Sequence, residues 1–127
     1  MQRINFSKHI YEINVYKGCI HILKRMENKI AEDGCYEITT YKPVLPEIVA
    51  LLLKMGFDLD IYLSKSEDVL NVLKIYCKKE DLEGSTNVSY GHCFSRANCE
   101  EYMEKVHQYK KSRECEDVLK RLERELG

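Results

Sequence analysis

The chain has 127 residues, of which 44% are hydrophobic and 32% charged, with 20 basic and 21 acidic side chains. This length favours one domain over residues 1–127, and the near balance of charge argues against general nucleic-acid binding, which usually requires a basic excess. No apolar run reaches the roughly 18 residues of a membrane-spanning helix and no signal-peptide segment begins the chain, so we expect a cytoplasmic protein without membrane association, whose cysteines are thiols.

A long helix is predicted at the start of the chain, from Ser7 to Asp33, with Gly34 as its stop. Its apolar residues fill about half of the circumference: Ile13, Val15, Tyr16, Cys19, Ile20, Ile22, Leu23, Met26 and Ile30. Because this arc is wider than one sheet would cover, we expect part of the helix to face a second copy of the protein. The β-branched residues of Ile10–Tyr16 leave open a strand there, followed by a helix from about Gly18.

The next thirty residues predict a strand, a buried helix and a second strand. Cys35–Tyr41 and Phe57–Leu63 alternate in polarity, so each strand has a core face and a solvent face. The helix between them begins at Pro46, ends before Gly56 and has only Lys54 as a polar residue after its first turn, which is typical of a helix buried on most sides. Both a right-handed parallel crossover and an antiparallel pair are compatible with this pattern.

A further helix is predicted from about Ser66 to Lys79, because Ser64–Glu67 has the capping-box pattern. The apolar residues at helical spacing are Val69, Leu70, Val72, Leu73, Tyr76 and Cys77. The segment Glu83–Phe94 begins with turn residues and then alternates, which predicts either a third strand or an ordered loop. The fold class is therefore α+β, with a small two- or three-stranded sheet, helices mainly on one face, and long N- and C-terminal helices.

The last segment starts at a helix cap, either Ser95 or Asn98. Its apolar residues change face near Ser112, so either one long helix contacts two partners or the helix breaks there into a hairpin. The first arrangement implies self-association. The residues predicted to form an oligomer interface are Ile13, Tyr16, Ile20, Leu23, Leu119, Leu122 and Leu126.

The segment from Gly84 to His92 is the best candidate for ligand contact, because it combines hydroxyl, amide, imidazole and aromatic groups with glycines that allow close approach. Its candidate residues, with one arginine that follows, are Ser85, Thr86, Asn87, Ser89, Tyr90, His92 and Arg96. Such a set suits a small anion such as a nucleotide, whereas the plainer interpretation is a structural connection.

Two other groups of residues are weaker candidates for a functional site. Asp58 and Asp60, with Glu37 on a neighbouring strand, could hold a cation, but polar residues are expected on the solvent face of a one-sided sheet. The residue types that zinc accepts lack the usual paired spacing: His92, Cys93, Cys99, His107 and Cys115. We therefore predict no metal, no cofactor and no catalytic residue.

These patterns predict a non-catalytic binding protein rather than an enzyme, because the sequence contains no catalytic constellation. We expect a homo-oligomer that engages or inhibits a host macromolecule. The strand–helix–strand pattern of Cys35–Leu63 is common in small phage and mobile-element proteins, which suggests an accessory protein of that type. The alternative is sequestration of a small anionic ligand by the segment from Gly84 to His92.

Overall fold

The computed structural model of the protein describes residues 6–64, 71–78, 82–91 and 94–126, and the side chains of all of these except residues 6–10, 12 and 78. In chain order the elements are α1 (Phe6–Asp33), β1 (Cys35–Thr40), α2 (Pro46–Lys54), β2 (Phe57–Leu63), β3 (Asn71–Lys78), β4 (Thr86–Tyr90), α3 (Arg96–Lys110) and α4 (Arg113–Leu126). The predicted α+β class is confirmed. The sheet is larger than the two or three strands expected, because the described residues form four strands in one mixed sheet.

The first helix forms as predicted, and the alternative of a strand at Ile10–Tyr16 is wrong. Its buried residues recur at helical spacing, at Val15, Cys19, Leu23 and Met26. The helix ends at Gly34, which has a φ of 80° and donates its N–H to the Ile30 carbonyl, a conformation that favours glycine.

Helix α2 is the centre of the core. Every residue from Ile48 to Leu53 is buried, and the helix packs against β2 and against α1, α3 and α4. It begins with Pro46 in the first turn and is followed by Gly56, whose φ is 96°. The prediction of a helix enclosed on most sides is confirmed, because the sheet and three helices surround it.

The strand order is β1-β3-β2-β4. β3 pairs antiparallel with both β1 and β2, and β4 pairs parallel with β2. β1 and β2 therefore run parallel but are separated by β3, so α2 connects two strands that do not touch. The sequence left open whether β1 and β2 run parallel or antiparallel. They run parallel and are connected by α2, and β3 lies between them in the sheet.

The helix predicted from Ser66 to Lys79 is wrong where the structure describes it, because Asn71–Lys78 is β3. The capping-box residues after Ser64 lie outside the described residues. In β3 the buried Leu73 and Ile75 lie on the core face of the sheet. Val72 and Tyr76 lie on the other face and are half-buried, so both faces carry apolar residues and the period of two is obscured.

The C-terminal segment breaks at Ser112, which confirms the second of the two predicted arrangements. The Ser112 hydroxyl donates to the Tyr109 carbonyl at 2.7 Å and accepts from the Cys115 N–H at 3.1 Å. This side chain therefore closes α3 and caps α4. Helix α3 is itself capped by Ser95, which accepts from the Asn98 N–H. Because the helix breaks, the change of apolar face needs no second copy of the protein to explain it.

Within the described part of the chain, none of the helices has both the length and the apolar character that crossing a membrane would require.

Candidate binding surface on the open face of the sheet

The helices pack against one face of the sheet, and no described helix covers the other, which we call the open face. Side chains on this face are half-buried or exposed, whereas the core face of β2 is buried along its whole length. The strand registers place eleven residues on the open face: Cys35, Glu37, Thr39, Asp58, Asp60, Tyr62, Val72, Lys74, Tyr76, Asn87 and Ser89. This alternation on β1 and β2 is the one that the sequence predicted.

Four polar side chains, one from each strand, form a row across the middle of the open face: Glu37, Lys74, Asp60 and Asn87. Lys74 lies between two carboxylates, and its Nζ is 3.8 Å from Glu37 Oε1. With Asp58 on the same face, three carboxylates accompany one ammonium group among the described side chains. The described side chains of the open face therefore carry a net negative charge.

Asp60 is held in place by a neighbouring tyrosine. The Tyr76 hydroxyl donates to Asp60 Oδ2 at 2.7 Å. This bond, followed by burial and by the nearby negative charge, raises the pKa of Tyr76 above its ordinary value of 10. The phenol therefore stays protonated at neutral pH and keeps donating, which fixes the orientation of the Asp60 carboxylate.

A shallow groove of about 360 Å³ crosses the open face along this row. It extends from Glu37 on β1 to Asn87 and Ser89 on β4, and its apolar part is formed by Tyr62 and Val72, which lie opposite each other on β2 and β3. An aromatic ring and an aliphatic side chain beside fixed charges are the groups from which protein-binding surfaces are commonly built.

Two glycines hold β4 close to β2. A Cβ atom on Gly84 would lie 1.5 Å from the Phe57 carbonyl oxygen, and one on Gly91 would lie 1.6 Å from the Tyr62 hydroxyl oxygen. At the same ends, the Gly84 N–H donates to the Leu53 carbonyl and the Gly91 N–H donates to the Leu63 carbonyl. Because both ends of β4 are fixed, the strand is a rigid border of the open face.

Acidic side chains secure the start of β4. Asp58 Oδ1 accepts from both the N–H and the hydroxyl of Ser85, at 2.9 and 3.1 Å. Glu83 accepts from Lys110 Nζ at 2.8 Å through Oε2, and its Oε1 lies 3.3 Å from Lys54 Nζ. The loop before β4 is thus joined to β2, α2 and α3.

The two lysines also set the protonation of Glu83. The hydrogen bond from Lys110, and then that from Lys54, lowers the pKa of Glu83 below its ordinary value of 4.5. Since the folded pKa lies below the unfolded one, the stabilisation is complete above pH 4.5 and is lost as the pH falls through the folded value.

We expect Glu83→Gln to lower the free energy of unfolding at neutral pH by less than about 1 kcal/mol, because the pair is screened by solvent and Glu83 is half exposed. The difference from the wild type should disappear in acid, once the wild-type carboxyl is protonated. Urea unfolding over a pH series measures this, with Glu125→Gln on the exposed surface of α4 as the control. A difference that stayed constant through the acid range would contradict the role assigned to Glu83.

The structure divides the predicted ligand segment between the two faces of β4. Asn87 and Ser89 lie on the open face and line the groove, whereas Thr86 and Tyr90 are on the helix side of the strand. The remaining members are also separated: Ser85 is bonded to Asp58, Arg96 pairs with Glu100 at 3.0 Å, and His92 lies outside the described residues. These residues do not converge on one site, and the acidic groove beside two of them disfavours an anion.

The other groupings that the sequence suggested are also separated. Glu37 is not adjacent to Asp58 and Asp60, because β3 lies between their strands. Among the described residues no three histidine, cysteine or acidic side chains are placed to hold a metal ion. His92 and Cys93 lie outside that part of the chain.

Buried cysteines make poor nucleophiles here. Burial raises the pKa of Cys19 to about 12 and that of Cys115 to about 11, so both thiols are protonated at neutral pH. Burial also raises the pKa of Cys99. The five cysteines that the structure describes are free thiols.

The residues predicted to form an oligomer interface differ in exposure. Leu23 and Leu122 are buried within the single chain, and Leu126 is 47% exposed. The others are half-buried: Ile13, Tyr16, Ile20 and Leu119. The Arg121 guanidinium covers the Tyr16 ring at 4.1 Å from its centroid. Much of the wide apolar arc of α1 therefore packs inside the monomer, and self-association through these helices stays a prediction.

Two features of the structure were not predicted, one on the open face and one in the interior. The row from Glu37 to Asn87 depends on β3, which the sequence pattern assigned to a helix. Asn71 is buried, and its side chain accepts from the Ser64 N–H and donates to the Tyr41 carbonyl. It joins the ends of β1, β2 and β3, and a polar residue inside an apolar run was its only signal in the sequence.

Comparison of the chain with family models, with curated proteins and with solved structures found no match.

Proposed function

We propose that the protein is a non-catalytic binding protein that engages a partner protein through the open face of its sheet. The observation that carries the proposal is the groove in which Tyr62 and Val72 lie beside the polar row, on a face that no described helix covers. Inhibition of a host macromolecule by a phage-type accessory protein is one form that such binding would take.

The charge of this surface supports a protein as the partner. Glu37, Asp58 and Asp60 outnumber Lys74 among the described side chains of the open face. A nucleic acid or a small anion would be repelled by these carboxylates, whereas a basic protein segment would be attracted.

The arrangement of the polar groups supports binding rather than catalysis. Glu37 is separated from Asp60 by Lys74, and Asp60 and Asp58 are already engaged by Tyr76 and Ser85. The groove is shallow, so a bound group would remain in contact with water. These are properties of a rigid recognition surface, in which fixed polar groups give specificity.

Selection from a library of random linear peptides against the immobilised protein tests this proposal. We expect enriched peptides to be basic, and their affinity to fall at least about tenfold for Val72→Lys, which places a second cation in the groove without opening the core. Isotope-labelled protein should show peptide-induced chemical-shift changes on the open face.

Asp117→Asn, an exposed substitution on α4, is the matched control and should leave peptide affinity unchanged. The absence of enrichment over an unrelated protein would overturn the proposal. Enriched peptides whose affinity is insensitive to Val72→Lys would also overturn it.

A further inference from the structure

The outer edge of β4 presents backbone groups that no described residue pairs with. The Leu59 N–H donates to the Ser85 carbonyl and the Gly91 N–H donates to the Leu63 carbonyl. Because the backbone groups of successive residues in a strand point to alternate sides, the odd-numbered residues of β4 face β2. Thr86, Val88 and Tyr90 therefore direct their N–H and C=O groups away from the sheet.

Among the described residues, this edge lacks the prolines, charged side chains and bulges by which proteins often protect an exposed strand. β4 contains no proline and no charged residue, and its pairing with β2 is regular along its length. β4 is the last strand of the sheet in the described part of the chain. An edge of this kind is a template for pairing with another extended segment.

The strand is also preorganised for such pairing. Gly84 and Gly91 fix its two ends against Leu53 and Leu63, so little ordering of β4 is required when a partner binds. Affinity from backbone hydrogen bonds is largest when the edge is already rigid.

We propose that an extended segment of the partner adds to β4 as a fifth strand, an inference that rests on the proposed function. This segment carries a lysine or arginine that is bound by Asp60. A segment beside β4 projects alternate side chains over the open face. There Asn87 lies nearest to it, with Asp60 one strand further in the same row. A long basic side chain crosses Asn87 and meets the Asp60 carboxylate, which Tyr76 has already oriented.

The partner is basic because the face that its side chains would cover is acidic. Among the described side chains, Asp60 is the carboxylate of the central row on the strand next to β4, and Glu37 lies two strands further away. Lys74, the cation of that row, lies on the far side of Asp60 from β4. A cationic group arriving from the β4 side therefore meets Asp60 before it meets Lys74.

The probe for this proposal is a synthetic peptide obtained from the selection described above, whose amides are N-methylated one at a time. Methylation should lower affinity at least about tenfold at alternate positions, those that face β4, and have little effect at the positions between them. On the protein, Val88→Pro should cause a similar loss, because it removes an outward N–H while proline is tolerated at such an edge position. Val88→Thr is the matched control and should bind normally.

The charge contact is tested by a double-mutant cycle. Asp60→Asn and replacement of the peptide's basic residue by norleucine should each reduce affinity about fivefold, and the double change should cost no more than either alone. Independent effects that simply multiply would overturn the assignment of Asp60.

The experiments distinguish strand addition at β4 from partner binding on the open face. Binding that is lost in Val72→Lys but shows no alternation in the N-methyl scan overturns strand addition and leaves the proposed function standing. A dimer in light scattering that is lost in Val88→Pro and is not displaced by the peptide identifies a second copy as the occupant, which also overturns the proposal. Should Val88→Pro fail to fold, the N-methyl scan decides alone.

Discussion

Leu52→Ala is expected to lower the free energy of unfolding by about 2–5 kcal/mol, which is a large part of the roughly 5–15 kcal/mol of a typical domain. Leu52 is 0% exposed and lies on α2, which the sheet and three other helices enclose. Because neighbours on every side are themselves held by packing, the cavity left by the truncation cannot close fully. Urea unfolding measures the effect as a lower midpoint with an unchanged slope.

Lys54→Ala on the same helix is the control. Lys54 is half-buried, and its charge pairs with Glu83, which also binds Lys110 at a shorter distance. Removal of Lys54 leaves Glu83 with a cationic partner, so we expect a loss below about 1 kcal/mol. If Lys54 proved more important than Leu52, the orientation of α2 in the core would be wrong.

The elements that could be predicted from the sequence are those with one dominant local signal. Helix α2 is bounded by Pro46 and Gly56 and has an almost continuous apolar run between them. β2 alternates without exception from Phe57 to Leu63. In both segments the local preference and the burial in the fold agree, so the periodicity alone was sufficient.

β3 could not be predicted, because its position in the sheet overrides its pattern. It lies between β1 and β2, and its open-face residues Val72 and Tyr76 are an aliphatic and an aromatic side chain that are half-buried. Apolar residues on both faces fit a helical spacing as well as a strand. The order of the strands is set by pairing between distant segments, which no local pattern records.

The candidate surface was predicted only in part, again because it depends on pairing between distant segments of the chain. The solvent faces of β1 and β2 were identified, and Asn87 and Ser89 were among the expected contact residues. The row that Asn87 forms with Glu37, Lys74 and Asp60 exists only because β3 and β4 pair on opposite sides of β2.

Substitution of Gly84, the glycine before β4, is the second change for which we expect a large loss of stability. We expect Gly84→Ala to cost about 3 kcal/mol or more, at or above the upper end of ordinary overpacking. The added Cβ would lie 1.5 Å from the Phe57 carbonyl oxygen and 2.4 Å from its carbon. These are backbone atoms at the start of β2, so no side-chain rotation relieves the overlap and β4 must move away from β2.

Gly34→Ala is the control that separates this overlap from backbone conformation. Gly34 has a φ of 80°, yet a Cβ there meets no atom within 4 Å, so its cost is conformational and about 1–2 kcal/mol. Urea unfolding of both variants should place Gly84→Ala well below Gly34→Ala in stability. Gly84→Ala should also weaken peptide binding at β4, because the edge is displaced, whereas Gly34→Ala should not. A smaller loss of stability for Gly84→Ala than for Gly34→Ala would show that β4 is not held against β2 as closely as the contacts of Gly84 indicate.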